Sequence, residues 1–256
     1  MSEDPVWDEA DDLFAAVHRM LLRLAGRLPD EVVAQLREFL GNGDLRHLPD
    51  AVSVATVQYA VAVPAADKEL LARILLALGV PGGEPERYDE IPVADEVPPL
   101  GAFRFLPVPA AVAERAGDRL PVPLDLTGGG DPEDLTVLPA RLGPLADLAY
   151  ELTDRIDDRW MDNVSRHPGV RRIWRAWRLD AGSPPAQRRV CLAELSPGVR
   201  AWDITHDAQR ALADKGEQAP QVETFWAGEP LPPYHRAALA GAALLWTPPA
   251  AVPERG

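Results

Sequence analysis

The sequence predicts an α+β fold: a small N-terminal helical bundle, then an antiparallel or mixed sheet domain with helices packed on one face. Apolar residues recur at helical spacing in four segments before residue 80. Prolines, glycines and acids interrupt every period between residues 80 and 100, and strand-like runs alternate with helical segments beyond. We therefore expect a bundle at 1–80, an acidic Pro-rich linker at 81–100 and an α+β domain at 101–256.

Start and stop residues mark the four N-terminal helices. The first has a stripe that includes Phe14 and Leu21, and the second follows Pro29 and ends at the glycines near 41–43. The third segment, DAVSVATVQYAVAV, is rich in valines that favour a strand. Asp50 suits an N-cap, so we predict a helix there, and a fourth helix that ends at Gly79. Each stripe needs a partner, which favours a bundle.

The sequence pattern of the second half of the chain predicts a β-sheet with helices between some of its strands. RRIWRAWRLD and RRVCLAEL are two strand-like runs joined by AGSPPAQ, which indicates a hairpin. The glycines at 128–130 are interpreted as a linker, because the lysine and hydroxyl of a phosphate loop are missing. The remaining predictions are strands in AFRFLPV (102–108), PVPLDL (121–126) and QVETFWAG, and helices from Pro144 to Arg166, in HDAQRALADKG and in PPYHRAALAGAALLW.

Composition limits the classes of partner and compartment. The 256 residues include 26 basic and 40 acidic side chains, a net charge of −14, which argues against general affinity for nucleic acid or anionic lipid. Only two of the basic residues are lysines, which is typical of a high-GC bacterial genome. The longest clean apolar run, Ala237 to Trp246, is too short to span a membrane. We expect no membrane association.

Cysteine content and the start of the chain favour the cytoplasm. A single cysteine, Cys191, cannot form an internal disulfide, so a reducing compartment is expected. The first twelve residues carry six acids and no base, the opposite of a secretory signal. Cys191 in VCLAEL would be a nucleophile only beside a basic neighbour, and a small buried residue is the simpler interpretation. We predict a cytoplasmic protein without a cofactor.

The least ordinary feature is a basic island between Arg166 and Arg189. Its seven arginines and one aspartate give a local charge of +6 in an acidic chain, and two tryptophans lie among them. Arginine and tryptophan are the side chains that most often anchor interfaces. The acidic linker at 84–96, the acidic N-terminus or an acidic partner would each complement this charge, and a solvated sheet surface is the simplest alternative. The predicted partner-binding residues are Arg171, Arg172, Trp174, Arg175, Trp177 and Arg178.

The leading hypothesis is a non-enzymatic adaptor that docks a protein partner, acidic at the contact, through this arginine and tryptophan surface. The alternative is a metal-assisted hydrolase in which four side chains lower the pKa of a bound water. Asp203 three residues before His206 also fits a helix start. A third hypothesis, nucleic-acid binding through the ribbon 166–189, conflicts with the net charge. The candidate metal ligands are Asp203, His206, Asp207 and His235.

The stretch DDRWMDNVSRH, residues 157–167, concentrates acids on a predicted helix. Asp154, Asp158 and Asp162 recur every four residues and line one flank, a spacing that would suit magnesium. Glu151 to Arg155 and Asp162 to Arg166 are favourable pairs typical of a solvated helix face. We therefore predict a solvated flank and no metal there.

Overall fold

The structure, a computed structural model, describes residues 9–95, 103–127, 140–181 and 186–249. Its helices confirm the four predicted in the N-terminal part, and a mixed sheet follows them, so the α+β class is confirmed. The helices are α1 Glu9–Leu24, α2 Asp30–Gly41, α3 Leu48–Gln58, α4 Ala65–Ala77, α5 Ala110–Ala116, α6 Arg155–Val164, α7 Ala201–Ala213 and α8 Pro233–Ala240. The strands are β1 Arg104–Leu106, β2 Leu124–Asp125, β3 Val170–Leu179, β4 Gln187–Leu195, β5 Gln221–Trp226 and β6 Ala243–Trp246.

Parts of three predicted features lie outside the described residues. These parts are the end of the linker (96–100), the glycine triplet (128–130) and the turn of the hairpin (182–185). Among the described helices, none combines the length and the apolarity that crossing a membrane requires.

The sheet is built around the predicted hairpin. β3 and β4 pair antiparallel along their whole length, and β4 pairs with β5 in parallel through the crossover helix α7. The strand order is β2-β6-β3-β4-β5, and β1 pairs with the C-terminal end of β3. Residues Ile173 to Arg175 of β3 pair with β6, along the same edge of β3 that pairs with β1. β3 therefore forms the centre of the sheet.

Side chains alternate between the two faces of the sheet along each strand. Each face packs against a hydrophobic cluster. Cys191 and Val222 belong to the larger core, which is continuous from α1–α4 through α7 to the sheet. Leu192 and Phe225 belong to a smaller cluster together with Tyr234 of α8. The N-terminal helices and the sheet thus share one apolar core, and α8 lies over the second face.

Three predicted helices were wrong in extent. One is α7, which begins at Ala201 and so before the predicted segment HDAQRALADKG, with Arg200 instead of Asp203 at its N-cap position. The helix predicted from Pro144 to Arg166 is a 3-10 segment, Ala140–Glu151, followed by α6. α6 begins anew because Asp154 caps it in a capping box with Asp157. The apolar stripe that predicted one helix is buried nonetheless, with Leu145 and Trp160 both almost inaccessible to solvent.

The final predicted helix ends at Ala240, and the residues that follow form β6. Gly241 lies against the backbone of Phe105, where an added Cβ would stand 2.6 Å from the carbonyl oxygen. The chain then turns back into the sheet, where Ala243 pairs with both Leu124 and Arg175. A short apolar run fits a buried strand as well as a buried helix, and here sheet pairing decides the outcome.

Replacing Gly241 with alanine is expected to lower the free energy of unfolding by about 1–3 kcal/mol, because the backbone must move to admit the methyl group. Urea denaturation measures the loss. Gly143→Ala is the matched control, since a Cβ at Gly143 would meet no atom within 4 Å. Equal losses in the two variants would contradict a close approach at Gly241.

Candidate interaction surface

The structure divides the six predicted partner-binding residues of β3 between surface and interior. The division arises because strand residues alternate between two faces and the C-terminal half of β3 is covered on both. A docking surface requires exposed side chains, and part of this set is buried. Arg171 and Arg172 are exposed, Trp174 and Trp177 are half-buried, and Arg175 and Arg178 are buried.

Arg175 is held inside the protein by the carboxylate of Asp157. Its Nη1 donates to Asp157 Oδ2 at 2.5 Å, and Arg189 donates to the other carboxylate oxygen. Arg175 Nη2 also donates to the backbone carbonyls of Pro107 and Leu152, at 2.6 and 3.1 Å. Burial raises the pKa of Asp157, and the two guanidinium groups act in the opposite direction. This cluster ties α6 to β3 and β4 and leaves Arg175 unavailable to a partner.

Arg178 makes a second internal ion pair. Its two terminal nitrogens donate to the carboxylate of Asp30 at 2.9 and 2.8 Å, a bidentate geometry. It also contacts the hydroxyl of Tyr234 at 3.3 Å and pairs with Asp180. Arg178 therefore fastens the start of α2 to β3, across the boundary predicted between the bundle and the sheet domain.

A third buried carboxylate, Glu223, was not anticipated from the sequence. It lies in β5 at zero exposure, and its Oε2 accepts hydrogen bonds from Arg37 Nη2 at 2.5 Å and His235 Nε2 at 2.7 Å. Burial alone would raise the pKa of Glu223, but Arg37 and His235 outweigh it and lower the pKa to about 2. The cluster joins α2, β5 and α8.

Two sequence signals point to this cluster. Arg37 falls within the apolar stripe of α2, between Leu36 and Leu40, where a charged side chain must be buried. Glu223 interrupts an otherwise uncharged strand, QVETFW. An arginine and a glutamate that each break a buried pattern are candidates for mutual pairing, because buried charges occur in pairs.

His18 lies beside this cluster and is kept neutral. Its Nε2 donates to the backbone carbonyl of Thr224 at 2.8 Å, and its ring meets Trp226 edge-on. Burial lowers the pKa of His18 to about 4, and the nearby positive charge of Arg37 contributes in the same direction. α1 thereby covers part of β5, the strand at one end of the sheet order.

The four candidate metal ligands do not form a metal site. Within the described part of the chain, no group of three or more histidine, cysteine, aspartate or glutamate side chains is placed to hold an ion. His235 Nε2 is hydrogen-bonded to Glu223 Oε2, and the ring of His206 packs against Gly41 of α2. Asp203 and Asp207 are exposed on α7.

The aspartate flank of α6 serves two structural purposes. Asp154 caps the helix and pairs with Arg189 at 2.6 Å, and Asp162 pairs with Arg166 on the surface. Burial, followed by the charges of Asp154 and Asp162, raises the pKa of Asp158. Cys191 is fully buried, and burial raises the pKa of its thiol, which disfavours the thiolate that a nucleophile needs.

The acidic linker does not cover the basic island in its described part. The backbone NH of Glu86 donates to the Asp50 side chain, and the hydroxyl of Ser53 donates to the Glu86 carbonyl at 2.5 Å. Val63 and Val93 form an isolated parallel bridge. Residues 84–95 therefore pack on the N-terminal helices instead of on β3.

The exposed remainder of the predicted surface lies at the N-terminal end of β3. The guanidinium of Arg172 is 5.2 Å from the centre of the Trp174 ring, and the Arg172 side chain is 51% exposed. Arg172 also pairs with Glu194 of β4, with both contacts at 2.8 Å. Trp174 stacks on Phe225 with ring centres 6.2 Å apart. Arg171 and Arg172 are exposed and Trp174 is half-buried, and these three residues are hereafter called the arginine–tryptophan surface.

A groove of about 560 Å³ adjoins this surface at Phe225. It lies between the C-terminal half of α1 and the loop 229–232 that precedes α8. The residues that define it here are Arg19, Arg23, Phe225, Glu229, Leu231 and Arg236. Aromatic contact between Trp174 and Phe225 connects the surface to the floor of the groove.

No protein-family model matches the chain, and comparisons with curated proteins and with solved structures found no match. The interpretation of the surface therefore depends on its own chemistry.

Asp157→Asn is expected to lower the free energy of unfolding by about 3–5 kcal/mol, because it removes the charge that two buried guanidinium groups share. Denaturation in guanidinium chloride measures this. Asp162→Asn, also on α6, is the control: its side chain is 67% exposed and pairs with Arg166 at 3.6 Å, so a loss below about 1 kcal/mol is expected. A comparably small loss for Asp157→Asn would show that the cluster does not stabilise the fold.

Stability is expected to fall as the pH is lowered from 6.5 to 4, because His18 is neutral in the folded protein over this range and protonated in the unfolded chain. The unfolded state binds more protons, so the free energy of unfolding decreases by up to about 3 kcal/mol. Urea denaturation at a series of pH values measures the slope.

His18→Gln retains a donor toward Thr224 and should flatten that slope. His47→Gln is the control, since the side chain of His47 is 68% exposed. An unchanged slope in the His18 variant would mean that other groups cause the acid sensitivity.

Proposed function

We propose that this chain is a non-enzymatic interaction protein that docks a protein partner through the arginine–tryptophan surface. The observation that carries the proposal is the cation–π contact between the exposed Arg172 and the half-buried Trp174, which Phe225 backs. A tryptophan and an arginine that are already oriented lose little side-chain freedom on binding, which is the property of interface anchors.

Electrostatics support a partner that is acidic at the contact. Arg171 and Arg172 are exposed side chains in a chain whose net charge is −14. Glu194, the partner of Arg172, is mostly buried, whereas half of the Arg172 side chain faces solvent. An acidic surface approaching this point would meet positive charge, while other parts of the protein would repel it and favour one orientation.

The double variant Arg171→Glu/Arg172→Gln tests the proposal in affinity purification from the native cells, with the tagged full chain as bait. It removes both exposed positive charges, so recovery of the docked partner should fall at least about tenfold. Glutamine at 172 can still contact Glu194, and a half-exposed ion pair adds little stability, so folding should be preserved.

Arg46→Glu/Arg73→Gln is the matched control, because both residues are exposed on the N-terminal helical part and the charge change is identical. The control should recover the partner at the level of the unaltered chain. Recovery that is unchanged in the first variant, or reduced equally in both, would reject the surface as the docking site.

A further inference from the structure

The groove beside the arginine–tryptophan surface has an apolar floor. Leu22 and Phe225 are only 5% and 4% exposed and belong to the smaller hydrophobic cluster. Leu231 packs against the same cluster and stays half-exposed. An apolar side chain placed here would cover the remaining exposed part of Leu231, which favours binding because apolar area leaves water.

The wall opposite α1 is fixed in conformation. The loop 229–232 contains Pro230 and Pro232, whose rings fix φ, and Pro233 begins α8. Arg236 Nη1 donates to the carbonyl of Leu231 at 2.6 Å and so braces the loop from α8. The groove is therefore formed before any ligand arrives, which limits the ordering entropy that binding costs.

The rim of the groove is positively charged. Arg19 and Arg23 lie one turn apart on α1, and Arg236 faces them from α8. Arg19 forms a two-point ion pair with Glu229, the one acid among the lining residues. Arg23 pairs with Asp67, a largely buried carboxylate. Among the described residues no carboxylate is in ion-pair contact with Arg236, whose remaining donors are open to solvent.

We propose that the groove binds an extended acidic peptide segment of the docked partner. This inference rests on the function proposed above, since Trp174 of that surface stacks on Phe225, which lines the groove. An apolar side chain of the segment packs on Phe225 and Leu231, and its carboxylates contact Arg236 and the exposed part of Arg19. Charge complementarity favours this occupant over a basic or neutral peptide.

A short peptide also suits the charge of the whole chain better than a nucleic acid does. The protein carries −14 overall, and like charges repel over a Debye length of about 8 Å at physiological salt. A polyanion that extends beyond the groove would meet that repulsion along its length. A segment of a few acidic residues would stay within reach of the three rim arginines.

The test selects binders of the full-length chain from a display library of random 12-residue peptides and measures their Kd by fluorescence anisotropy. Selected peptides should be rich in aspartate and glutamate with at least one large apolar residue. Arg236→Glu should raise their Kd at least tenfold, Arg236→Gln should raise it less, and Arg46→Glu should change it less than twofold. Because Arg236 is exposed, these variants are expected to fold, and urea denaturation verifies it.

Leu231→Ala provides an uncharged second variant and should also weaken binding. Selected peptides that are not acidic, an empty selection, or a Kd unaffected by both Arg236→Glu and Leu231→Ala would overturn the inference. A labelled 12-nucleotide single strand of DNA that binds as tightly as the peptides would overturn it as well.

The two proposals fail separately in these experiments. Loss of partner recovery with Arg171→Glu/Arg172→Gln, together with non-acidic peptides, supports the docking surface and rejects the groove assignment. Acidic peptides sensitive to Arg236→Glu, together with partner recovery insensitive to the changes at 171 and 172, support the groove and reject the docking surface.

Discussion

The fold depends on buried carboxylates that each accept hydrogen bonds from arginine or histidine side chains of other elements. Asp157 joins α6 to β3 and β4, Glu223 joins α2 and α8 to β5, and Asp30 joins α2 to β3. Moving such charges out of water costs several kcal/mol each, and only close pairing offsets the cost. The ion pairs therefore contribute little net stability, but they restrict the fold. Each helix or strand must lie where its buried charged side chain reaches its partner.

This requirement explains why the helical and sheet parts form one body of contacts. Apolar stripes on α1 and α2 pack in many registers at similar free energy, because hydrophobic contact is not directional. A bidentate contact such as Arg178 with Asp30 accepts one register only. The hydrogen bond from His18 to Thr224 and the pair of Arg37 with Glu223 fix α1 and α2 on β5 in the same way.

The sequence predicted the elements better than their connections. Helical periodicity located α1–α4, and the charged, β-branched runs located the hairpin of β3 and β4, because both signals are local. The end of α8 was missed because AALLW has no periodicity that separates a buried helix from a buried strand. Arg175 and Arg178 were placed on the surface because charge usually indicates exposure. Their carboxylate partners lie 18 and 148 residues away, a distance that no local pattern reveals.

The buried ion pairs also determine which arginine side chains stay exposed on the surface. Arg37, Arg175, Arg178 and Arg189 are neutralised by acids that are themselves buried or partly covered, so these arginines contribute little to the outer field. Most acidic side chains of the described residues are left on the exterior, where they repel polyanions. Arg171, Arg172 and Arg236 are then exposed positive charges near the half-buried side chains of Trp174 and Leu231. In the function proposed above, this contrast sets the direction of approach, because one orientation of an acidic partner is attracted and most others are repelled.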